Sequence, residues 1–326
     1  MRAFEYTSPA NMTHALKLLG GSWDDAAPLA GGTDLLALMK DDIVMPRRLV
    51  NIKELGELRG LTVDSKKGLR IGALTTIQEL ADNAAVRRAY PVITTTANEI
   101  AGPQIRNMAT VGGNLCQRPR CWYYRTGFGL LAKDQSGKSL VPAGDNRYHA
   151  ILGNSGPAYF VSPSTLAPLL VALGATVHLA GPNGTRELPL EKFYLIPKSE
   201  TEREHDLKPN EIVTQVVVPP LAGAKAAAYE VRQKEALDWP LAIASVVLNM
   251  KGGKVSSSRV VMGHVAPIPW RSAEAESALV GKTINESVAQ AAAEAAVVKA
   301  KDLGRNGYKI QIARVAVKRA ILAAVA

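Results

Sequence analysis

Apolar and polar residues alternate along the first 220 positions in a way that predicts short strands and helices. Ser8-Pro9 places a helix-capping serine before a proline, which predicts a helix through Leu19 that ends at Gly20-Gly21. Thr76 and Glu79 have the spacing of a capping box for a helix through Asn83. The other predicted elements are strands at 27–30, 48–52, 69–73, 176–179, 186–190 and 211–218, a helical turn at 35–39, and helices at 90–101 and 164–174.

The pattern changes after Pro219-Pro220, which breaks the last of these strands and opens a stretch rich in Ala and Gly. Strands are predicted at 229–233, 242–250 and 255–262. The last two are joined by Gly252-Gly253, which favours an antiparallel meander. Alanine-rich helices follow at 272–280, 286–302 and 309–325. The order of elements therefore predicts an α+β fold that ends in a small sheet and helices, with a domain boundary at the double proline.

Residues 117–157 show no sustained periodicity and predict a long irregular excursion, of a kind that is often functional. Arginines 118, 120 and 125 alternate there with Trp122, Tyr123 and Tyr124. The chain as a whole has 39 Lys and Arg against 29 Asp and Glu, a net charge of +10. Arginines between aromatic rings can stack on single-stranded bases. One such patch more often packs on a partner or on the core, so no nucleic-acid ligand is expected.

The sequence lacks the residue patterns that several other classes of function require. No run approaches the ~18 apolar residues of a membrane helix. Positions 1–10 have no apolar signal core, so we expect a cytoplasmic protein, or one exported together with a partner. The five histidines are scattered, and no nucleophile elbow is present. Two cysteines, Cys116 and Cys121, cannot supply the four ligands of an iron–sulfur cluster. No catalytic side chain and no metal site is predicted.

Two glycine-rich segments are the strongest functional signal: LAGGTDLL at 29–36 and ATVGGNLC at 109–116. Glycine allows close approach of the backbone to a ligand, so successive N–H groups can converge on phosphate oxygens. Neither segment matches the Rossmann or P-loop pattern. In the first, Thr33 would add a hydroxyl, and Asp34 would cap the next turn or contact a ribose. In the second, Thr110 and Asn114 would bond a phosphate or ribose. Together the segments indicate a bound dinucleotide.

With these segments, the chain resembles the medium, flavin-binding subunits of the molybdenum hydroxylases, such as xanthine dehydrogenases, carbon monoxide dehydrogenases and aldehyde oxidoreductases. AGGTDLL and TVGGNL resemble the two FAD loops of this family, with IGALTT (71–76) between them. ALDWPLA (236–242) is similar to the segment that opens the family's C-terminal domain. The irregular sequences NLCQRPRCWYYR and DNRYHAILG are most similar to the aldehyde oxidoreductase type. The resemblance covers essentially the whole chain.

The resemblance implies an FAD-binding domain of the vanillyl-alcohol-oxidase (PCMH) type at 1–220, with subdomains at about 1–55 and 56–220. A C-terminal domain of the CO dehydrogenase flavoprotein type would follow at 221–326. FAD would lie between the subdomains. The implied FAD contacts are Leu29, Ala30, Gly31, Gly32, Thr33, Asp34, Leu35, Leu36, Thr75, Thr110, Gly112, Gly113, Asn114, Ser164 and Thr165. Lys234 and Asp238 are weaker candidates for positions near the flavin ring.

The resemblance further implies electron transfer rather than substrate oxidation on this chain. A large molybdopterin-binding partner would oxidise the substrate, a small partner with 2Fe-2S clusters would deliver electrons to FAD, and an external acceptor would receive them. Two departures from the family stand out. Some relatives hold a 4Fe-4S cluster in the irregular segment, but 127–141 contain no cysteine, so no such cluster is expected here. Ser162-Pro163-Ser164-Thr165 also lacks the Asp that often follows the second Ser.

Two other interpretations remain open at this point. A stand-alone FAD oxidase or reductase would need its own substrate pocket and proton donor, and no candidate residue for either is evident. A non-enzymatic flavin-binding module would use the Arg- and aromatic-rich segment as its partner surface.

Overall fold

The computed structural model describes residues 1–233 and 238–326. The strands, in chain order from β1 to β12, are Glu5–Thr7, Ala26–Leu29, Arg48–Asn51, Leu61–Asp64, Gly68–Gly72, Thr176–Gly181, Gly184–Pro189, Ile212–Val218, Lys225–Val231, Ala242–Lys251, Lys254–Gly263 and Trp270–Arg271. The helices, from α1 to α13, are Met12–Leu18, Leu35–Lys40, Ile77–Asp82, Ala84–Ala89, Pro91–Asn98, Pro103–Met108, Val111–Cys116, Trp122–Arg125, Leu166–Ala172, Leu190–Phe193, Ala273–Leu279, Glu286–Ala296 and Tyr308–Val325.

The N-terminal part is a three-stranded parallel sheet in the order β1-β3-β2. Leu49 of β3 lies opposite Tyr6 on one side and Ala27 on the other. Val50 and Ala26 are fully buried, so the sheet has an apolar face against α1. The chain leaves β2 through the first glycine segment and enters α2, which places this segment at the carboxyl edge of the sheet, where parallel sheets commonly bind ligands.

A five-stranded antiparallel sheet in the order β4-β5-β8-β6-β7 forms the second layer. Leu69 and Ile71 of β5 and Val216 and Val218 of β8 are fully buried. They join the apolar faces of α3, α5, α7 and α9 in the largest hydrophobic core of the molecule. The second glycine segment belongs to this layer, because Val111 and Leu115 of α7 are part of the same core.

The C-terminal part is a four-stranded antiparallel sheet in the order β12-β11-β10-β9, covered by α11, α12 and α13. Small residues on these helices, such as Ala289, Ala292 and Ala316, are fully buried and allow close packing on the sheet. Val247 and Val261 of this sheet belong to the core of the second layer. The C-terminal sheet and the five-stranded sheet therefore share one apolar core. In the described residues, no helix is long and apolar enough to cross a membrane.

Most predicted elements are present, and several boundaries differ. The first helix begins after Asn11, whose Oδ1 accepts the His14 N–H at 2.9 Å, rather than at Ser8-Pro9. The Ser8 hydroxyl instead accepts a hydrogen bond from Asn51. β9 starts four residues before the predicted strand, because it pairs with β10 along its full length. The predicted helix at 286–302 ends at Ala296. The capping box of Thr76 and Glu79 is confirmed.

The irregular segment contains only the short helix α8 between residues 117 and 157. It is nevertheless well packed: Tyr124, Leu130 and Leu131 are buried against Leu38 of α2 and Phe160. Its prediction as an irregular excursion is therefore confirmed, and the segment contacts the element that follows the first glycine segment.

Candidate functional site

The two glycine segments meet in space. A Cβ atom added to Gly31 would lie 1.8 Å from the carbonyl oxygen of Met108, just before the second segment begins. Only glycine permits this approach, because any side chain would overlap backbone atoms that cannot move independently. Segments that are about eighty residues apart in the chain therefore form one site.

The first segment presents free backbone donors. Within the described residues, no acceptor takes the N–H groups of Gly31, Gly32 or Thr33. Gly32 has a φ of 73°, a left-handed conformation that favours glycine. Backbone N–H groups are obligatory hydrogen-bond donors, and successive free ones form an anion-binding concavity. The arrangement fits a pyrophosphate group, as the sequence predicts.

The second segment is a helix rather than the loop that the sequence predicts. Thr110 is the N-cap of α7, and its Oγ1 accepts the Gly113 N–H at 3.1 Å. The Gly112 N–H donates to the Ala73 carbonyl at 2.8 Å, and an added Cβ would be 3.0 Å from that of Ala73. Gly112 thus allows close packing of the helix on Ala73, just after β5, whereas Gly113 has its N–H group taken by Thr110 and lines the cleft described below.

Asn114 and Ser164 form a buried pair. The Ser164 Oγ donates to the Asn114 Oδ1 at 2.7 Å and accepts the Ala167 N–H at 3.0 Å. This orientation leaves the amide Nδ2 of Asn114 without an acceptor in the described chain, and Asn114 lines the cleft described next. Ser164 therefore orients a donor rather than supplying one.

A cleft of about 470 Å³ runs along both segments. The predicted residues that line it are Ala30, Gly31, Gly32, Thr33, Asp34, Leu35, Thr110, Gly113, Asn114 and Thr165. Those that do not line it are Leu29, Leu36, Thr75, Gly112 and Ser164. Thr75 is buried and its hydroxyl donates to the Gly60 carbonyl at 3.2 Å. Asp238 lines the cleft, whereas Lys234 lies outside the described residues.

Asp34 occupies the N-cap position of α2, but its side chain makes no capping hydrogen bond, which corrects the sequence-based expectation. Its carboxylate instead accepts the Arg118 backbone N–H at 2.8 Å and pairs with Arg125 at 2.8 Å and Arg120 at 3.0 Å. These bonds hold the start of the irregular segment against the first glycine segment. A carboxylate that is already shared by two guanidinium groups is also poorly suited to bind a ribose.

Three arginines of the irregular segment lie near this end of the cleft, and each is paired with a carboxylate. Arg118 pairs with the buried Glu204, and Arg120 lies over the Trp239 ring at 4.5 Å. Arg118, Arg120 and Trp239 line the cleft. Sequence reasoning missed them as site residues. The sequence shows the alternation of Arg and aromatic residues, but it does not show that Asp34 contacts these arginines and holds them near the first glycine segment.

A cation–aromatic pair lies elsewhere in the same cleft. The Arg203 guanidinium is 4.0 Å from the centroid of the Trp23 ring, and both residues line the cleft. His205 also lines it and stacks on Phe193 with ring centroids 5.3 Å apart. No sequence motif marks these positions, because they come together only in the folded chain.

The two cysteines have different surroundings. Cys116 lines the cleft, and burial raises the pKa of its thiol to about 12, so it stays protonated. The Cys121 Sγ is 3.1 Å from the His149 Nε2. Burial also raises the pKa of Cys121. In the described part of the chain, no three His, Cys, Asp or Glu side chains gather in a group that could hold a metal ion.

Comparison with known proteins identifies the family. The family described as "FAD binding domain in molybdopterin dehydrogenase" matches residues 2–221, and the "CO dehydrogenase flavoprotein C-terminal domain" matches residues 227–324. The carbon monoxide dehydrogenase medium chain of Hydrogenophaga pseudoflava is 32% identical over 98% of this chain and 96% of its own length. The aldehyde oxidoreductase FAD-binding subunit PaoB of Escherichia coli K12 is 33% identical, covering 96% of both chains.

Solved structures agree with this assignment. Carbon monoxide dehydrogenase from Hydrogenophaga pseudoflava superposes with a TM-score of 0.76 at 32% identity, over 99% of this chain and 98% of that one. Quinoline 2-oxidoreductase from Pseudomonas putida 86 gives 0.75 at 25% identity, with the same coverage. The predicted α+β fold class with its two domain types is confirmed. The chain therefore belongs to the FAD-binding medium subunits of the molybdenum hydroxylase family.

Proposed function

We propose that this chain holds FAD in the cleft between its glycine segments and serves as the electron-transfer subunit of a molybdenum hydroxylase complex. The observation that carries the proposal is the run of free N–H groups at Gly31, Gly32 and Thr33, directly against the chain before α7. When bound, FAD would take up electrons from 2Fe-2S clusters and release them to an external acceptor.

The chain's own residues position and tune the cofactor. The free amides of the first segment bind the pyrophosphate, and Asn114 Nδ2 donates a further hydrogen bond. Arg118 and Arg120 form the end of the cleft near Trp239, where their ion pairs with Glu204 and Asp34 hold them in place beside the cofactor. We assign this binding to domain 1–220, with residues 221–326 closing the cleft through Asp238, Trp239 and Pro240.

The remaining parts of the reaction belong to other chains. We infer a large molybdopterin-binding partner that oxidises an aldehyde or N-heterocycle, and a small 2Fe-2S partner, in line with the relatives that this chain resembles over nearly its full length. We propose a cytoplasmic complex, or one that is exported on a partner's signal.

The test is to purify the chain together with the products of its neighbouring genes, and to record the visible spectrum with iron and molybdenum content. Flavin bands, molybdenum, and iron sufficient only for 2Fe-2S clusters are expected. A flavoprotein without metal-containing partners would indicate a self-sufficient oxidase or reductase. A flavin-loaded complex that accepts no electrons would indicate a binding module, and a colourless chain would overturn the FAD assignment.

A further inference from the structure

A second cavity of about 250 Å³ lies next to the flavin cleft. Arg120, Asp238, Trp239 and Pro240 line both spaces, so the stacked pair of Arg120 and Trp239 forms part of the wall between them. The volume is just below the range of about 300–1,000 Å³ that drug-sized ligands occupy, so only a small ligand fits. Of the positions predicted to lie near FAD, only the weaker candidate Asp238 lines this cavity.

Four aromatic side chains form part of the walls of the second cavity. Trp122, Tyr148, Phe160 and Trp239 line it. Trp122 and Tyr148 pack edge to face, with ring centroids 5.5 Å apart. Tyr148 and Trp239 are also 39% and 47% exposed, so both rings are reached from solvent. Aromatic walls of this kind favour a flat ligand, because rings gain from stacked and edge-to-face packing beyond the area that they bury.

Two buried histidines supply the polar groups. His149 is 3% and His264 is 2% exposed, and both line the second cavity. In the described residues, His149 Nδ1 and His264 Nε2 are buried without a hydrogen-bond partner. Unsatisfied buried polar atoms are costly and call for an explanation such as a ligand. His264 also has a φ of 59°, a strained conformation for a residue with a side chain and one that clusters at functional sites.

The two cationic side chains around the second cavity are already engaged, because Arg120 pairs with Asp34 and Lys309 is hydrogen-bonded, whereas the Asp238 carboxylate has no ion pair within the described residues. The Lys309 Nζ donates to the carbonyls of Tyr148, His149 and His264 at 2.7–3.1 Å, which uses its three donors. Burial lowers the pKa of His149 to about 4 and of His264 to about 3, so both imidazoles are neutral at pH 7. An anionic ligand would find no free positive charge on these groups and would face the Asp238 carboxylate, whereas a neutral one would meet two neutral imidazoles.

We propose that the second cavity binds a small, uncharged, planar aromatic molecule that carries a hydrogen-bonding oxygen on its rim. The ring lies among Trp122, Tyr148, Phe160 and Trp239, and the oxygen bonds His149 or His264. Quinones and aromatic ketones share this chemistry. Since Trp239 lines both spaces, a ligand in the second cavity lies beside the flavin cleft.

Isothermal titration of the flavin-loaded full chain with duroquinone and with acetophenone tests the site. Both probes are expected to bind. His149→Phe keeps a flat ring but removes the nitrogens, and should weaken binding roughly three- to tenfold. Val161→Phe should abolish binding by filling the cavity. His178→Phe, on β6 and outside both cavities, is the matched control. Unchanged flavin content and spectrum show that the variants fold.

Absence of binding to a flavin-loaded wild-type chain, or equal binding by wild type and both cavity variants, would overturn the proposal. Loss of flavin from the wild-type chain would instead contradict the proposed function, so the two failures are distinct. A further experiment, which rests on the proposed function, distinguishes an electron acceptor from a redox-inert ligand in the second cavity. If the ligand is the acceptor, duroquinone takes two electrons and two protons from the reduced cofactor, giving the hydroquinone and FAD, and Val161→Phe slows this step. An unchanged rate assigns the site to a redox-inert aromatic ligand.

Discussion

At the scale of single residues, the site depends on a position without a side chain and on polar groups without a hydrogen-bond partner. The absence of a Cβ at Gly31 lets its backbone lie directly against the carbonyl of Met108, at the end of α6. Asn114 contributes one amide because Ser164 occupies its oxygen. Their functions follow from neighbours that are far away in the chain.

Gly31→Ala should therefore remove flavin binding and destabilise the chain. The new Cβ would overlap the Met108 carbonyl, so the first glycine segment must move and its free amides must separate. Flavin content after purification and the thermal midpoint measure this effect. Gly21→Ala is the matched control, because no atom lies within 4 Å of the Cβ position there. Full flavin occupancy in Gly31→Ala would contradict the assignment of this segment.

The buried histidines predict a dependence of stability on pH. Burial lowers the pKa of His264 to about 3 in the folded chain, against an ordinary value near 6.5. Between these values the unfolded chain binds the extra proton, so the free energy of unfolding falls as the pH falls below 6.5. From pH 7 to 5 the loss from His264 is about 2 kcal/mol.

His264→Asn should remove this loss, since Asn tolerates a left-handed backbone and does not titrate. Urea unfolding at pH 7 and pH 5 measures it: wild type should lose about 2 kcal/mol more than the variant. Equal losses would show that the imidazole is not held neutral by burial.

At the scale of elements, the irregular segment and α2 form one unit through Asp34. A single carboxylate accepts one backbone N–H and pairs with two guanidinium groups, all of them mostly buried. This contact holds a segment without regular structure against α2 and keeps Arg118 and Arg120 at the cleft.

Asp34→Asn should loosen this unit. Arg120 and Arg125 lose their counter-charge in a partly buried environment. We therefore expect the free energy of unfolding to fall by about 2 kcal/mol. Weaker flavin binding and faster amide hydrogen exchange at 118–126 should accompany it. Asp25→Asn is the control, because Asp25 pairs with the exposed Arg47 and such surface pairs contribute little. Unaltered exchange at 118–126 would show that Asp34 does not order the segment.

At the scale of the whole molecule, the cleft is closed from both sides of the proposed boundary at 220. Val247 and Val261 pack into the core of the five-stranded sheet, and Trp239 forms part of the cleft wall. The C-terminal sheet therefore helps to support the proposed flavin site.

A chain that ends at residue 220 should accordingly bind FAD more weakly and expose apolar surface. Gel filtration and flavin content of the 1–220 fragment test this expectation. Coexpression of 221–326 should restore both properties, which distinguishes a missing partner surface from a damaged fragment. A monomeric 1–220 fragment with undiminished FAD affinity would show that residues 221–326 are dispensable for the site.

The sequence by itself determined the type and order of most elements, because capping residues, β-branched runs and alanine-rich helices act over a few neighbouring positions. It also located both glycine segments and, through their order, the family. Thr76 with Glu79 needed no tertiary contact to be interpreted correctly.

Tertiary structure alone decided what the individual residues do. It placed the second glycine segment in a helix, Val111–Cys116, engaged the Asp34 side chain with arginines rather than a helix end, and gathered Trp23, Arg203 and Trp239 around the cleft. It also placed His149 and His264 in one cavity. Local preferences follow from neighbouring residues, whereas hydrogen-bond partners and burial depend on residues that only folding brings together.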